Sequence, residues 1–142
     1  MKISARNVFE GSVTELHPGA VNDEVSVAIA GGVKITAIVT HASAQSLGLA
    51  VGRKVLAIVK ASSVLVMVEG SGAQLSARNC LSGTVTEVHD GMVESLVSIR
   101  LPGGGQVHAT ITRDAAADLG LKPGVPATAV IKASSVILGL PG

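Results

Sequence analysis

The chain has 142 residues, 47% of them hydrophobic and 15% charged, with a formal net charge of +1. So weak a charge argues against broad binding to a phosphate backbone, which needs clustered lysine and arginine. No apolar run reaches the roughly 18 residues of a membrane helix, and no signal-peptide core follows Met1-Lys2-Ile3-Ser4, so the expectation is a cytoplasmic chain with neither a membrane nor a nucleic-acid partner.

The apolar residues are valine, isoleucine, leucine and alanine, with one Phe and no Tyr or Trp, which favours sheet over helix. The single cysteine, Cys80, leaves no internal disulfide and no thiolate metal site, and reads as a small buried hydrophobe.

In chain order, residues 3–16 form an extended run closed by the turn signal His17-Pro18-Gly19. Val25, Val27 and Ile29 then alternate with small residues, Gly31-Gly32 turns the chain, and residues 33–39 return, which predicts a β-hairpin. A helix of about two turns is predicted next, with Thr40 as N-cap and Gly48 just past its end. Residues 54–60 read as a strand, Ala61-Ser62-Ser63 interrupts it, and residues 64–68 resume it as a segment that needs a pairing partner.

From Ser76 the same order begins again, at a constant offset of 72 from Ser4. The extended run 75–88 ends at His89-Asp90-Gly91, Gly103 to Gly105 turns the second hairpin, Thr112 and Gly120 bound the second helix, and residues 126–132 and 136–140 are its last strands. The chain therefore divides into a first lobe, 1–68, a polar linker, 69–73, and a second lobe, 74–142. The fold class is mainly β: two OB-like β-barrel lobes, each with one short helix. Lobes of about 70 residues bury too little surface to be very stable alone, so packing of lobe on lobe and homo-oligomerisation are expected.

The repeat also sorts the charges. Lys34 becomes Gln106, Glu24 becomes Leu96, Arg53 becomes Val125 and Lys54 becomes Pro126, whereas Arg6, Glu15 and Lys60 return as Arg78, Glu87 and Lys132. The two retained cations have hydroxyl neighbours, Ser4 and Ser62, returning as Ser76 and Ser134. Cations, hydroxyls and helix N-terminal amides at Thr40 and Thr112 make up a donor set suited to a tetrahedral dianion. Ser43 adds a hydroxyl that Ala115 lacks.

Glu15 and Glu87 read as cross-strand charge partners, and His17 and His89 as turn residues. No histidines have metal-ligand spacing, so no metal is coordinated by side chains, and no nucleophile paired with a base supports an enzyme. The turns at Gly19, Val21 and Asn22 and at Gly91 and Val93 are weaker candidates for backbone anion nests. Competing readings are a nucleic-acid-binding OB module, poorly served by Phe9 as a stacking platform, and a structural interaction module in which the cations join lobes.

Ser-Ala-Arg-Asn, Gly-x-Val-Thr-Glu, Ala-Gly-Gly followed by Ile-Thr, Leu-Gly-Leu and Val-Lys-Ala-Ser-Ser-Val together resemble the molbindin or Mop family in its tandem form. The resemblance implies molybdate or tungstate as bound ligand with no organic cofactor, a role in molybdenum storage and homeostasis, and a homotrimer with sites at subunit interfaces. It would set Ser4 and Arg6 of one lobe opposite Thr40, Ser43, Lys60, Ala61 and Ser62 of another, with Ser76, Arg78, Thr112, Lys132, Ala133 and Ser134 as the second set. It also implies oxyanion sites on a threefold axis, for which the Gly19 and Gly91 turns are the candidates.

Overall fold

Alternating valines and isoleucines place one side chain of each pair inside and one outside, and the strands follow that period. A computed structural model describes residues 2–68 and 74–142, so the linker expected at 69–73 lies outside the described residues. The first repeat forms β1 (Asn7–His17), β2 (Asn22–Ile29), β3 (Lys34–Thr40), the helix α1 (His41–Ser46), β4 (Lys54–Val59) and β5 (Leu65–Met67). The second forms β6 (Asn79–Asp90), β7 (Glu94–Arg100), β8 (Gln106–Thr112), α2 (Arg113–Asp118), β9 (Pro126–Ile131) and β10 (Ile137–Gly139).

These strands make two five-stranded antiparallel sheets, in the orders β10-β4-β1-β2-β3 and β5-β9-β6-β7-β8. The last strand of each repeat therefore belongs to the other repeat's sheet. Ile137, Leu138 and Gly139 pair with Ile58, Ala57 and Leu56, while Leu65, Val66 and Met67 pair with Val130, Ala129 and Thr128. The edge strands β3 and β10 also pack against each other, as do β8 and β5, curling each sheet into a partly open barrel. The hydrophobic segment at 64–68, which needed a pairing partner, finds it in this exchange.

The core is a single aliphatic cluster drawn from both repeats, with Val25, Val27, Ile35, Val97, Ile99 and Val107 fully buried. Two local devices bend β1 and β6. The register slips between Val13 and Glu15 and between Val85 and Glu87, and the slipped threonines, Thr14 and Thr86, donate to Ser26 O and Ser98 O at 3.3 Å. At Gly11 and Gly83 a Cβ would sit 2.4 Å from Ala28 O and 2.1 Å from Arg100 O, so only glycine lets the neighbouring strand come this close.

Cys80 departs from expectation. Its neighbours Asn79 and Leu81 point inward, so strand alternation turns the thiol outward, and it is exposed.

Candidate functional site

Antiparallel pairing brings the retained cations together. Asn7 opens β1 opposite Val59 at the end of β4, so the residue before the one strand and the residue after the other, Arg6 and Lys60, emerge side by side. Lys60 is extended, with φ −64° and ψ 137°, and leads into a single 3₁₀ turn, Ala61–Ser63, closed by Ser63 N–H donating to Lys60 O at 2.9 Å. The first N–H groups of such a turn have no acceptor within it. Ser4, Arg6, Lys60, Ala61 and Ser62 line one cleft of about 360 Å³ together with Ile58, Glu94, Thr110 and Ile137. Because the turn at 61–63 packs against β8, the second repeat supplies one wall.

The second repeat repeats the geometry. Asn79 pairs with Ile131, which sets Arg78 beside Lys132, and the Ala133–Ser135 turn packs against β3. Ser76, Arg78, Lys132 and Ser134 are all exposed at this end of the sheet, and Ala133 is buried beneath them. One difference is large: Arg78 Nη1 and Nη2 donate to Glu24 Oε2 and Oε1, each at 2.8 Å. This fork of two parallel bonds raises the Arg78 pKa above its ordinary value. Among the described residues no carboxylate pairs with Arg6, Lys60 or Lys132.

Thr40 and Ser43 are placed elsewhere. They line a separate cleft with Val39, Leu47, Val136 and Leu138, between α1 and β10. Thr40 caps α1: its Oγ1 accepts from Ser43 N at 3.1 Å and donates to Ser43 Oγ at 2.8 Å. Thr112 caps α2 in the same way through Ala115 N, and Gly48 and Gly120, at φ +62° and +65°, follow the helices as the sequence pattern required. Ile137 lies in both clefts and separates the capping hydroxyls from the paired cations.

The turns proposed as anion nests use their glycine amides internally. Gly19 N–H donates to Asp23 Oδ1 at 3.0 Å, and Gly91 N–H to Glu94 O at 2.7 Å. Val21 O and Val93 O accept from the first residues of α1 and α2, His41 N and Arg113 N. Asn22, which opens β2, pairs with Thr40.

Glu15 bonds His17 at 3.1 Å and faces Lys34 at 3.7 Å, and the His17 bond, then the Lys34 charge, holds its carboxyl below the usual range. Glu87 faces His89 at 3.2 Å. Both pairs are surface partners, as their strand-end positions suggested.

Several functional residues escaped the sequence reading. Asn7 and Asn79 are buried, and each clamps the backbone of the opposite sheet. Asn79 Oδ1 accepts from Thr36 N at 2.7 Å and its Nδ2 donates to Thr36 O at 2.8 Å, and Asn7 does the same with His108 at 2.7 and 2.8 Å. Their signal was present, since the asparagine returns with the arginine in each Ser-Ala-Arg-Asn. Glu94 and Thr110 had no such signal, because their equivalents in the first repeat are Asn22 and Ile38. Glu94 puts a carboxylate on the wall of a cleft whose sequence-predicted members are all donors.

Comparison with known proteins agrees with the repeat. The TOBE domain family matches residues 3–66 and again residues 75–138. The molybdenum transport protein ModE of Azotobacter vinelandii is 46% identical over 142 residues, and the molybdenum-pterin-binding protein MopA of Rhodobacter capsulatus is 43% identical over 141. The alignment covers 100% and 99% of this chain but 52% and 53% of those two proteins, so the chain spans about half the length of the curated relatives it matches. A crystal structure of the cytoplasmic molybdate-binding protein ModG, with molybdate bound, superposes with a TM-score of 0.97 at 55% identity, covering 99% of this chain and 100% of that one. Two matched segments, one repeated cation pair and a full-length structural likeness make the chain a member of the TOBE domain family, built as two Mop-type domains in tandem.

Proposed function

We propose that this chain binds molybdate or tungstate reversibly, as a non-catalytic cytoplasmic store for molybdenum homeostasis. The observation that carries the reading is the cleft in which Ser4, Arg6, Lys60, Ala61 and Ser62 converge, with its equivalent at Ser76, Arg78, Lys132, Ala133 and Ser134. Two cations in each set attract a tetrahedral dianion, against the Glu94 carboxylate in the first and the Glu24 pair in the second, and serine hydroxyls with the amides opening the 3₁₀ turn serve its remaining oxygens. The full-length similarity to the molybdate-binding protein ModG supports the choice of anion. The relatives MopA and ModG are binding proteins by name, which supports a binding role without turnover.

The capping hydroxyls of Thr40, Ser43 and Thr112 and the turns at Gly19 and Gly91 join this reading only in an assembly, where a neighbouring copy would bring them toward an anion. We take that assembly to be a homotrimer. Exposed apolar side chains at the two equivalent turns support it: Met92 is 95% exposed, Val93 74% and Val21 72%, apolar surface that a neighbouring copy would cover. Binding at junctions then stabilises the assembly by mass action.

The test is isothermal titration of the full chain with molybdate in excess sulfate, repeated on the double variant K60A/K132A. Uptake by the parent and loss of at least about tenfold in affinity in the variant, the cost of removing charge-assisted bonds, is the expected outcome. Equal uptake by both would remove the site.

A further inference from the structure

We infer that Glu24 is a built-in competitor for the second site's arginine, so that the two repeats are unequal oxyanion sites and the Arg6 cleft fills first. The inference rests on the oxyanion reading above and adds to it an order of filling.

The starting point is a broken symmetry. Both copies keep the arginine, but among the described residues only Arg78 is ion-paired with a carboxylate. Arg78 holds Glu24 through two bonds of 2.8 Å, the forked geometry in which a guanidinium takes an oxyanion. Each of its outer nitrogens thereby commits one N–H to Glu24.

At the equivalent place opposite Arg6, the residue is Leu96, which lines the hollow around Arg6 with Val93, Glu94 and Thr110. A leucine neither donates nor accepts, so it leaves the Arg6 donors to an incoming anion. Glu94, the one carboxylate on that wall, makes no ion pair with Arg6 among the described residues.

An anion arriving at Arg78 must therefore exchange with Glu24, whereas an anion arriving at Arg6 has no ion pair among the described residues to break. The exchange is not prohibitive, because the Glu24 and Arg78 side chains are 31% and 51% exposed and an exposed pair is weakly held. The expected result is a graded pair of sites, with the weaker one set by a single side chain on β2.

The experiment titrates molybdate into the full-length protein and its variants E24Q, E24L and L96E, with R6A and R78A to assign each binding class to its repeat. The parent should show two classes, the weaker abolished by R78A. E24Q and E24L should tighten that weaker class by about two- to fivefold, the range spanned by exposed ion pairs, and leave the stronger class alone. L96E, which gives Arg6 the same competitor, should weaken the stronger class.

Weaker binding at the Arg78 site in E24Q and E24L would overturn the inference, since Glu24 would then be holding the guanidinium ready for the anion. Unchanged affinity in both variants would overturn it equally. Failure of the parent to take up molybdate at all would instead remove the proposed function, and unchanged thermal unfolding of each variant separates either result from misfolding.

Discussion

Asn79 spends both ends of its amide on the backbone of one residue of the opposite sheet, Thr36, at 2.7 and 2.8 Å, and is 1% exposed. Its removal leaves the Thr36 N–H and C=O buried without partners, so N79A should destabilise the fold by about 1–3 kcal/mol per stranded group, as measured by urea unfolding. N7A should cost a similar amount through His108. The sequence showed that these asparagines recur but not what they touch, because a side chain reaching a distant backbone leaves no periodic trace.

Asp23 gives a prediction in pH. It is 2% exposed, accepts from Gly19 N–H at 3.0 Å and faces the His41 ring at 2.9 Å, and the Gly19 bond above all holds its carboxyl below the usual value. A depressed folded value means the ionised form is favoured by folding. That stability is complete above the normal aspartate range near about pH 4 and drains away as the pH falls through the folded value. The melting temperature of the parent should therefore drop between about pH 4 and 3 more steeply than that of D23N. The second repeat has Ser95 bonded to Asp90 in this place, so the effect belongs to the first turn alone.

At the scale of elements, the hairpins, the capped helices and the interrupted last strands were all legible, because alternation, Thr-to-Gly spacing and turn glycines are local signals. The exchange of β5 and β10 was not. Periodicity marks residues 64–68 as a strand but is silent on which sheet receives it, and the choice depends on the direction in which the Ala61–Ser63 turn sends the chain. The same limit applied to the cations: the repeat singled out Arg6 and Lys60, but only the pairing of Asn7 with Val59 explains why they meet within one repeat.

Two measurements follow from the exchange. Leu138 lies close to the end of the second repeat yet is 7% exposed against β4 of the first. L138A should cost about 2–4 kcal/mol, a core-sized loss at a position that would otherwise fray. A chain restricted to residues 2–68 keeps β5 but has no β9 to receive it. It should associate by trading β5 between copies, and light scattering should find a dimer or larger species with little folded monomer.

At the scale of the molecule, the core drawn from both repeats and the Asn7 and Asn79 clamps hold the sheets together, and the cation clefts sit on the junctions between them. The hairpin turns also meet there: a Cβ on Gly31, at φ +79°, would lie 2.1 Å from Pro102 O. For the assembly, M92E places a charge on the most exposed apolar turn and should shift native mass spectra from trimer toward monomer.

The central claim is that the paired cations of each repeat hold a molybdenum oxyanion. Anomalous diffraction at the molybdenum absorption edge, on crystals grown with molybdate, tests it most directly. An anomalous peak is expected within hydrogen-bonding reach of Arg6, Lys60 and Ser62, with a weaker one by Arg78 and Lys132. Anomalous density confined to other surfaces, with both clefts holding only water, would contradict it.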